Sequence, residues 1–132
     1  MIHLDTSVLI AGLSGPRAFW IRLRSVLDND EELRLSTPVL YEWLRGSRNA
    51  AEIELQQALF PDANAVLFGP IEAALSASFY RSLPRARPRV MDFAIAACAV
   101  SQQAELWTLN PDDFADIPGL HLYRATRGPR RS

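Results

Sequence analysis

The chain begins Met1-Ile2-His3-Leu4-Asp5-Thr6-Ser7-Val8-Leu9-Ile10, and this stretch sets the architecture. The apolar residues before Asp5 predict a short buried strand, because a brief apolar run bounded by polar turn residues is typical of a strand inside a sheet. A turn and the start of a helix follow directly. We therefore expect Asp5 to lie at the carboxyl end of the first strand.

The rest of the chain continues this alternation of short apolar strands and helices. Further strands are predicted at 33–35, 65–68, 106–108 and 120–123, and helices at 19–27, 38–46, 50–59, 70–83 and 91–100. The segment from Pro84 to Arg89 is predicted to be a loop, because it contains two prolines. This order predicts one α/β domain over residues 1–132 with a mainly parallel sheet, ending in a basic tail from about residue 124.

Composition limits the class of protein. The chain is 48% hydrophobic and 22% charged, and this composition excludes a disordered protein. Its length of 132 residues is too short for a two-domain enzyme. The longest stretch without a charge, Phe93–Ala104, is well below the roughly 20 apolar residues of a membrane span. No secretion signal is apparent, and the single cysteine, Cys98, excludes an internal disulfide. We expect a cytoplasmic protein with no membrane association.

The basic residues are all of one kind. The net charge of −1 comes from 15 acidic and 14 basic side chains, and every basic one is Arg. The absence of Lys excludes a phosphate-binding P-loop, which needs its Lys, and a Schiff-base enzyme, which needs an amine nucleophile.

Acidic residues occupy unusual places along the chain. Asp5 follows the first predicted strand, and Asp92 heads an apolar helix near the end of the chain. Asp112 and Asp113 follow the strand after that helix, and Glu42 lies beside the apolar stripe of its own helix. Because strand ends and helix starts meet on one side of an α/β sheet, we expect these carboxylates to converge.

Converging carboxylates need either raised pKa values or a cation between them. Mg²⁺ and Mn²⁺ are the hard divalent ions that prefer carboxylate oxygens and retain several waters. Neither His3 nor His121 has a partner at the spacing of zinc ligands, which argues against zinc.

Each acid also has an ordinary structural interpretation. Asp5 and Asp92 can be helix N-caps or first-turn acids favoured by the helix dipole. Glu42 can pair with Arg45 three residues on, and the acids after the last strand can be turn residues. These alternatives stay open at the level of sequence.

Four segments in order resemble the PIN-domain family, specifically its VapC-type toxins. They are Ile2-His3-Leu4-Asp5-Thr6-Ser7, Tyr41-Glu42-Trp43-Leu44-Arg45-Gly46, Met91-Asp92-Phe93-Ala94-Ile95-Ala96-Ala97-Cys98-Ala99 and Leu106-Trp107-Thr108-Leu109-Asn110-Pro111-Asp112-Asp113-Phe114. The resemblance covers nearly the whole chain. It implies a PIN-like three-layer α/β/α domain with a short-stranded, mainly parallel central sheet.

The resemblance also implies an activity: a metal-dependent endoribonuclease that hydrolyses RNA phosphodiester bonds. Carried across by position, Asp5, Glu42 and Asp92 match the catalytic acids. The spacing Thr-x-Asn-x-x-Asp-Phe selects Asp113 as the fourth, while Asp112 beside it can substitute or assist.

By the same resemblance, Asp5, Asp92 and Asp113 are the expected ligands of Mg²⁺ or Mn²⁺. Glu42 would hold a second ion or accept a proton from the attacking water. The partners implied are an RNA substrate, a cognate VapB-type antitoxin and a second copy of the chain in a homodimer.

Basic and aromatic residues permit narrower expectations. Arg85, Arg87 and Arg89 are candidates for phosphate contacts, with a solvated loop or an antitoxin contact as the alternative. The tryptophans fall on predicted core faces and are expected to pack rather than stack on bases: Trp20, Trp43 and Trp107.

Two rival functions remain. A phosphoryl-transfer enzyme or receiver domain also places Asp at strand ends, but its usual Lys is missing. A catalytically inactive PIN-like RNA-binding or partner-binding module is the second alternative.

Overall fold

The central sheet is parallel throughout. The computed structural model describes residues 1–124, and within them the strands are β1 (Ile2–Leu4), β2 (Leu33–Arg34), β3 (Glu105–Trp107) and β4 (His121–Leu122). The order across the sheet is β2-β1-β3-β4, with every pairing parallel. The carboxyl ends of all these strands therefore lie at one edge of the sheet.

Helices flank this sheet in the predicted α/β/α arrangement. They are α1 (Thr6–Ser14), α2 (Arg17–Asp28), α3 (Thr37–Arg45), α4 (Ala50–Leu59), α5 (Pro70–Ser82) and α6 (Val90–Ser101). Short 3-10 turns form at Asp62–Asn64, Arg87–Arg89 and Pro111–Asp113. No helix within residues 1–124 combines the length and the apolar character needed to cross a membrane.

The core lies around β1 and α6. Every residue of β1 is buried, since this strand has a neighbour on each side. Helix α6 buries Phe93 and the run 95–99, which explains its nearly continuous apolar sequence. Gly12 lets α1 and α2 approach closely, because a Cβ there would lie 2.6 Å from Leu23 Cδ2.

The tryptophan prediction is confirmed for two of the three residues. Trp43 and Trp107 are buried, and the Trp107 ring lies 6.0 Å from Phe19 and 5.2 Å from Tyr123. For Trp20 the prediction is wrong. The core side of α2 is centred on Leu23, so the Trp20 ring lies at its border, partly exposed, with the Arg24 guanidinium 5.9 Å from the ring centre.

Two predicted segments differ in the structure. The strand expected at 65–68 is reduced to one parallel bridge between Ser36 and Val66, because α5 begins soon after, at Pro70. The predicted loop at 84–89 ends in a 3-10 turn, since Pro88 has a backbone suited to a first helical turn. Apart from Arg124 the predicted basic tail lies outside the described residues, and the single-domain prediction for residues 1–132 stays a prediction.

His3 introduces a polar ring into the middle of the sheet. It is 1% exposed, and neither ring nitrogen has a hydrogen-bond partner in residues 1–124. Burial, helped by the positive charges of Arg34 and the N-terminus, lowers the pKa of His3 from 6.5 to about 4. The ring is therefore neutral in the folded protein at neutral pH.

This burial predicts a loss of stability in mild acid. Between pH 6.5 and pH 4 the unfolded chain binds a proton at His3 that the folded chain does not, so the free energy of unfolding falls as the pH falls. From pH 7.5 to pH 5.0 the loss from this one group is about 2 kcal/mol. Urea unfolding at both pH values should show that His3→Leu loses less stability than wild type by about this amount.

The matched control is His121→Gln, because His121 is exposed on the edge strand. This variant should follow wild type across the same pH range. An equal acid-induced loss in wild type and His3→Leu would contradict the prediction.

Candidate active site

Asp5 is held at the carboxyl end of β1 by hydroxyl groups. Its amide donates to the Trp107 carbonyl at 2.9 Å, which extends the β1–β3 pairing by one residue. Its Oδ2 accepts hydrogen bonds from Ser7 Oγ at 2.8 Å and Thr108 Oγ1 at 2.7 Å. Asp5 occupies the N-cap position of α1, but its side chain makes no cap hydrogen bond. The capping interpretation of its carboxylate is therefore wrong.

The two hydroxyls that bind Asp5 are themselves oriented by backbone amides. Leu109 N donates to Ser7 Oγ at 3.1 Å, and Asn110 N donates to Thr108 Oγ1 at 3.0 Å. Because an amide donor meets each hydroxyl oxygen, its proton is directed towards Asp5. Neither hydroxyl was predicted from the sequence, although Thr108 could have been found because it directly follows the buried strand β3.

Glu42 is tied to the residue next to Asp5. Its Oε1 accepts a hydrogen bond from Thr6 Oγ1 at 2.6 Å, whereas its Oε2 lies 3.4 Å from Arg45 Nη2. The Glu42 side chain is 18% exposed and that of Arg45 is 54% exposed. The expected Arg45 pair exists but is the longer contact, and the shorter one brings α3 against the start of α1.

Asp92 occupies the first turn of α6 and is the most perturbed of the four acids. Burial, followed by the negative charges of Asp5, Asp113 and Glu42, raises the pKa of Asp92 from 3.8 to about 6. Arg89 acts in the opposite direction. Hydrogen bonds place two of the other acids at the same edge of the sheet, since Thr108 at the end of β3 binds Asp5 and Thr6 at the start of α1 binds Glu42.

The structure distinguishes the two neighbouring aspartates of the last motif. Asp112 and Asp113 both lie on the 3-10 turn Pro111–Asp113 and are exposed. Asp113 is among the charges that raise the pKa of Asp92, and Asp112 is not. This observation favours Asp113 as the fourth acid.

Arg89 is not available for a phosphate contact, so the sequence interpretation is wrong for this residue. Its Nη2 donates to Asp116 Oδ1 at 2.5 Å and to the Asp113 carbonyl at 3.1 Å. Its Nη1 donates at 3.1 Å to both Asp116 Oδ2 and the Pro84 carbonyl. The side chain is 11% exposed and lies over the Phe93 ring. We call these contacts of the guanidinium the Arg89 clamp.

The other two arginines of that loop are different. Arg85 and Arg87 are exposed, and neither side chain makes an ion pair or hydrogen bond within residues 1–124. Arg85 lies near enough to Asp116 to help lower the pKa of that carboxyl. Both guanidinium groups are therefore free of hydrogen-bond partners within residues 1–124.

The donor chemistry fits a hard divalent cation. As placed, no group of three or more His, Cys, Asp or Glu side chains in residues 1–124 could hold a metal ion. Asp5 Oδ1 and the Asp92 and Asp113 carboxylates accept no hydrogen bond from the described part of the chain. Such free oxygens suit Mg²⁺ or Mn²⁺ better than zinc, and a cation would relieve their repulsion.

Comparisons with known proteins identify the family of the chain. Residues 2–120 match the family model described as PIN domain, and the chain belongs to the PIN-domain family. Among its relatives, the ribonuclease VapC19 of Mycobacterium tuberculosis is 31% identical over 123 residues, which cover 89% of this chain and 94% of the relative. The resemblance to VapC-type members is thereby confirmed.

Solved structures show the same fold. A toxin–antitoxin complex from Klebsiella pneumoniae matches with a TM-score of 0.69 and 26% identity, over 91% of this chain and 95% of that one. A DNA-bound VapBC from Salmonella typhimurium matches with a TM-score of 0.70 and 19% identity, over 95% and 98% of the two chains. The predicted α/β/α class is confirmed.

The repulsion at Asp92 predicts that removing its charge stabilises the metal-free protein. Since the pKa of Asp92 is raised, its ionised form destabilises the fold above about pH 6, and protonation relieves this cost as the pH falls towards 4. Asp92→Asn should therefore raise the free energy of unfolding at pH 7.5 by about 1–3 kcal/mol, and by much less at pH 4.5. Urea unfolding in EDTA measures both values.

Asp112→Asn is the control, because it removes one charge from an exposed acid on the neighbouring turn that is not among the named causes of the Asp92 shift, and it should leave stability nearly unchanged. A drop in stability for Asp92→Asn at pH 7.5 would contradict the prediction. Such a drop would instead support the structural interpretation of Asp92, in which its carboxylate stabilises the first turn of α6.

Proposed function

We propose that the chain is a Mg²⁺- or Mn²⁺-dependent endoribonuclease that hydrolyses RNA phosphodiester bonds and is the toxin of a type II toxin–antitoxin pair. The observation that carries the proposal is that Asp5, Asp113 and Glu42, which come from three other elements, all raise the pKa of Asp92. Membership of the PIN-domain family and the ribonuclease name of its curated relative support the same reaction.

The four acids would divide the chemistry between them. Asp5, Asp92 and Asp113 would hold the cation, directly or through bound waters. A bound divalent ion would supply Lewis-acid activation of a water and of a phosphoryl oxygen. Glu42, held by Thr6, would accept the proton of an attacking water as the water oxygen bonds to phosphorus, and the leaving ribose oxygen would take up a proton from solvent as its bond to phosphorus breaks.

The charge balance supports a polyanionic substrate. A bound divalent ion would add two positive charges to the 14 arginines, which gives 16 positive charges against 15 acidic side chains. The exposed Arg85 and Arg87 would then contact phosphates, because guanidinium groups bind phosphate through paired hydrogen bonds. Arg89 has no part in this contact, since its hydrogen bonds within the protein occupy it.

A VapB-type antitoxin would be the partner that blocks the site. The solved structures that match this fold include toxin–antitoxin complexes, which supports the assignment. We place the pair in the cytoplasm, where the buried Cys98 would stay a free thiol.

We also propose that the chain is a homodimer. Leu67 and Ile71 are 71% and 72% exposed around the start of α5, which is unusual for large apolar side chains in a monomer. Sedimentation should give about twice the chain mass of 14.8 kDa. Ile71→Glu should shift the equilibrium towards the monomer, whereas a monomeric wild type would contradict the proposal.

A nuclease assay tests the catalytic proposal. In the absence of antitoxin, cleavage of total RNA with Mn²⁺ should fall by a factor on the order of 10² or more in Asp92→Asn and in Glu42→Gln, because each removes a charge used in the transition state. EDTA should abolish cleavage by wild type. Glu54→Gln on the exposed side of α4 is the control and should retain full activity.

Two results would overturn the proposal. Cleavage that survives both substitutions would come from a contaminant or another site. RNA binding without cleavage at any Mg²⁺ or Mn²⁺ concentration would favour the alternative, a catalytically inactive RNA-binding PIN-like module.

A further inference from the structure

Asp113 is the most exposed of the four acids, and its side chain contributes least to holding it in place. Asp5 and Glu42 are fixed by hydroxyl donors, and Asp92 by the rigid first turn of α6. Asp113 is exposed on a single 3-10 turn, and its carboxylate makes no hydrogen bond within residues 1–124. Its position is therefore determined by whatever holds the backbone of that turn.

We propose that Arg89 and Asp116 are positioning residues that set the place of Asp113 relative to Asp92. The proposal rests on the function proposed above and adds two residues to its machinery. Neither residue would contact RNA or the reacting atoms, because the Arg89 donors are occupied by protein acceptors.

The geometry of the Arg89 clamp supports this role. The guanidinium binds both carboxylate oxygens of Asp116 in a fork, and one of its nitrogens also binds the carbonyl of Asp113 itself. Paired hydrogen bonds of this kind fix orientation as well as distance. The contact to Asp113 is through the backbone, so its carboxylate is left free to face the site.

The two ends of the Arg89 clamp lie on the two segments that carry Asp92 and Asp113. Arg89 directly precedes α6, three residues before Asp92, and its guanidinium is 4.9 Å from the centre of the Phe93 ring. Asp116 lies three residues after Asp113. The clamp therefore links the start of α6 to the turn after β3, and the two acids with it.

The electrostatics are consistent with a link that is permanently charged. Hydrogen bonding to Asp116 raises the pKa of Arg89, and Asp92 and Asp113 add to the effect. The 11% exposure of the Arg89 side chain makes this pair less screened than the surface pair Arg24–Asp28, whose side chains are 57% and 64% exposed.

The experiment compares Mn²⁺ binding with stability. Electron paramagnetic resonance of free Mn²⁺ gives the dissociation constant of wild type, Arg89→Lys, Asp116→Asn and the reference variant Asp113→Asn. Arg89→Lys keeps the charge but loses the fork, and Asp116→Asn keeps the shape but loses the charge. Asp28→Asn, which breaks the remote Arg24 pair, is the matched control.

We expect Arg89→Lys and Asp116→Asn each to weaken Mn²⁺ binding about 10- to 100-fold, the usual effect of losing a group that orients a ligand. The double variant should lose little more than either single one, because both changes break the same link. In RNA cleavage the kcat should fall at saturating RNA with KM unchanged, and Asp28→Asn should match wild type throughout.

The outcomes separate this proposal from the function on which it rests. If Asp113→Asn loses Mn²⁺ affinity while both clamp variants keep it, the clamp proposal is overturned and the nuclease site stands. A lower metal-free melting temperature with unchanged Mn²⁺ affinity overturns it too, because the clamp would then serve stability alone. If wild type binds no Mn²⁺, the proposed function and the clamp fall together.

Discussion

The repulsion between carboxylates at the carboxyl edge of the sheet is the constraint on which the rest of the site depends. Four negative groups brought together from β1, α3, α6 and the turn after β3 would separate if nothing opposed them. The fold opposes them with directional hydrogen bonds, from Ser7 and Thr108 to Asp5 and from Thr6 to Glu42. The repulsion that remains lowers the stability of the metal-free protein and also attracts a cation, so both effects have the same source.

The hydroxyl donors explain why the motif after β1 has its particular composition. Thr6 and Ser7 are adjacent and point to different acids, so the first turn of α1 orients two carboxylates at once. Thr108 supplies the matching bond from the other side of Asp5. Neutral donors serve here better than arginines would, because they orient the oxygens without cancelling the charge that a metal ion requires.

Much of this could be read from the sequence, and the failures have a common cause. Asp5 and Asp92 were predictable because a strand end and a helix start are local features, and the order of elements fixed a parallel sheet. The Arg89 clamp could not be foreseen, since Asp116 is 27 residues away and looks like any loop acid. Trp20 was misjudged because helical periodicity places a residue near the core face without saying how far the neighbouring helix covers it.

The bond between Thr108 and Asp5 joins residues 103 positions apart, and β1 forms its β3 pairing over the same distance. Contacts so distant in the chain cannot form until the second partner has been synthesised. A polypeptide still emerging from the ribosome, with synthesis halted before Thr108, would carry Asp5, Glu42 and Asp92. It would lack the second of the two hydroxyls that bind Asp5 and the turn that carries Asp113. Partial products of translation would therefore lack an assembled centre.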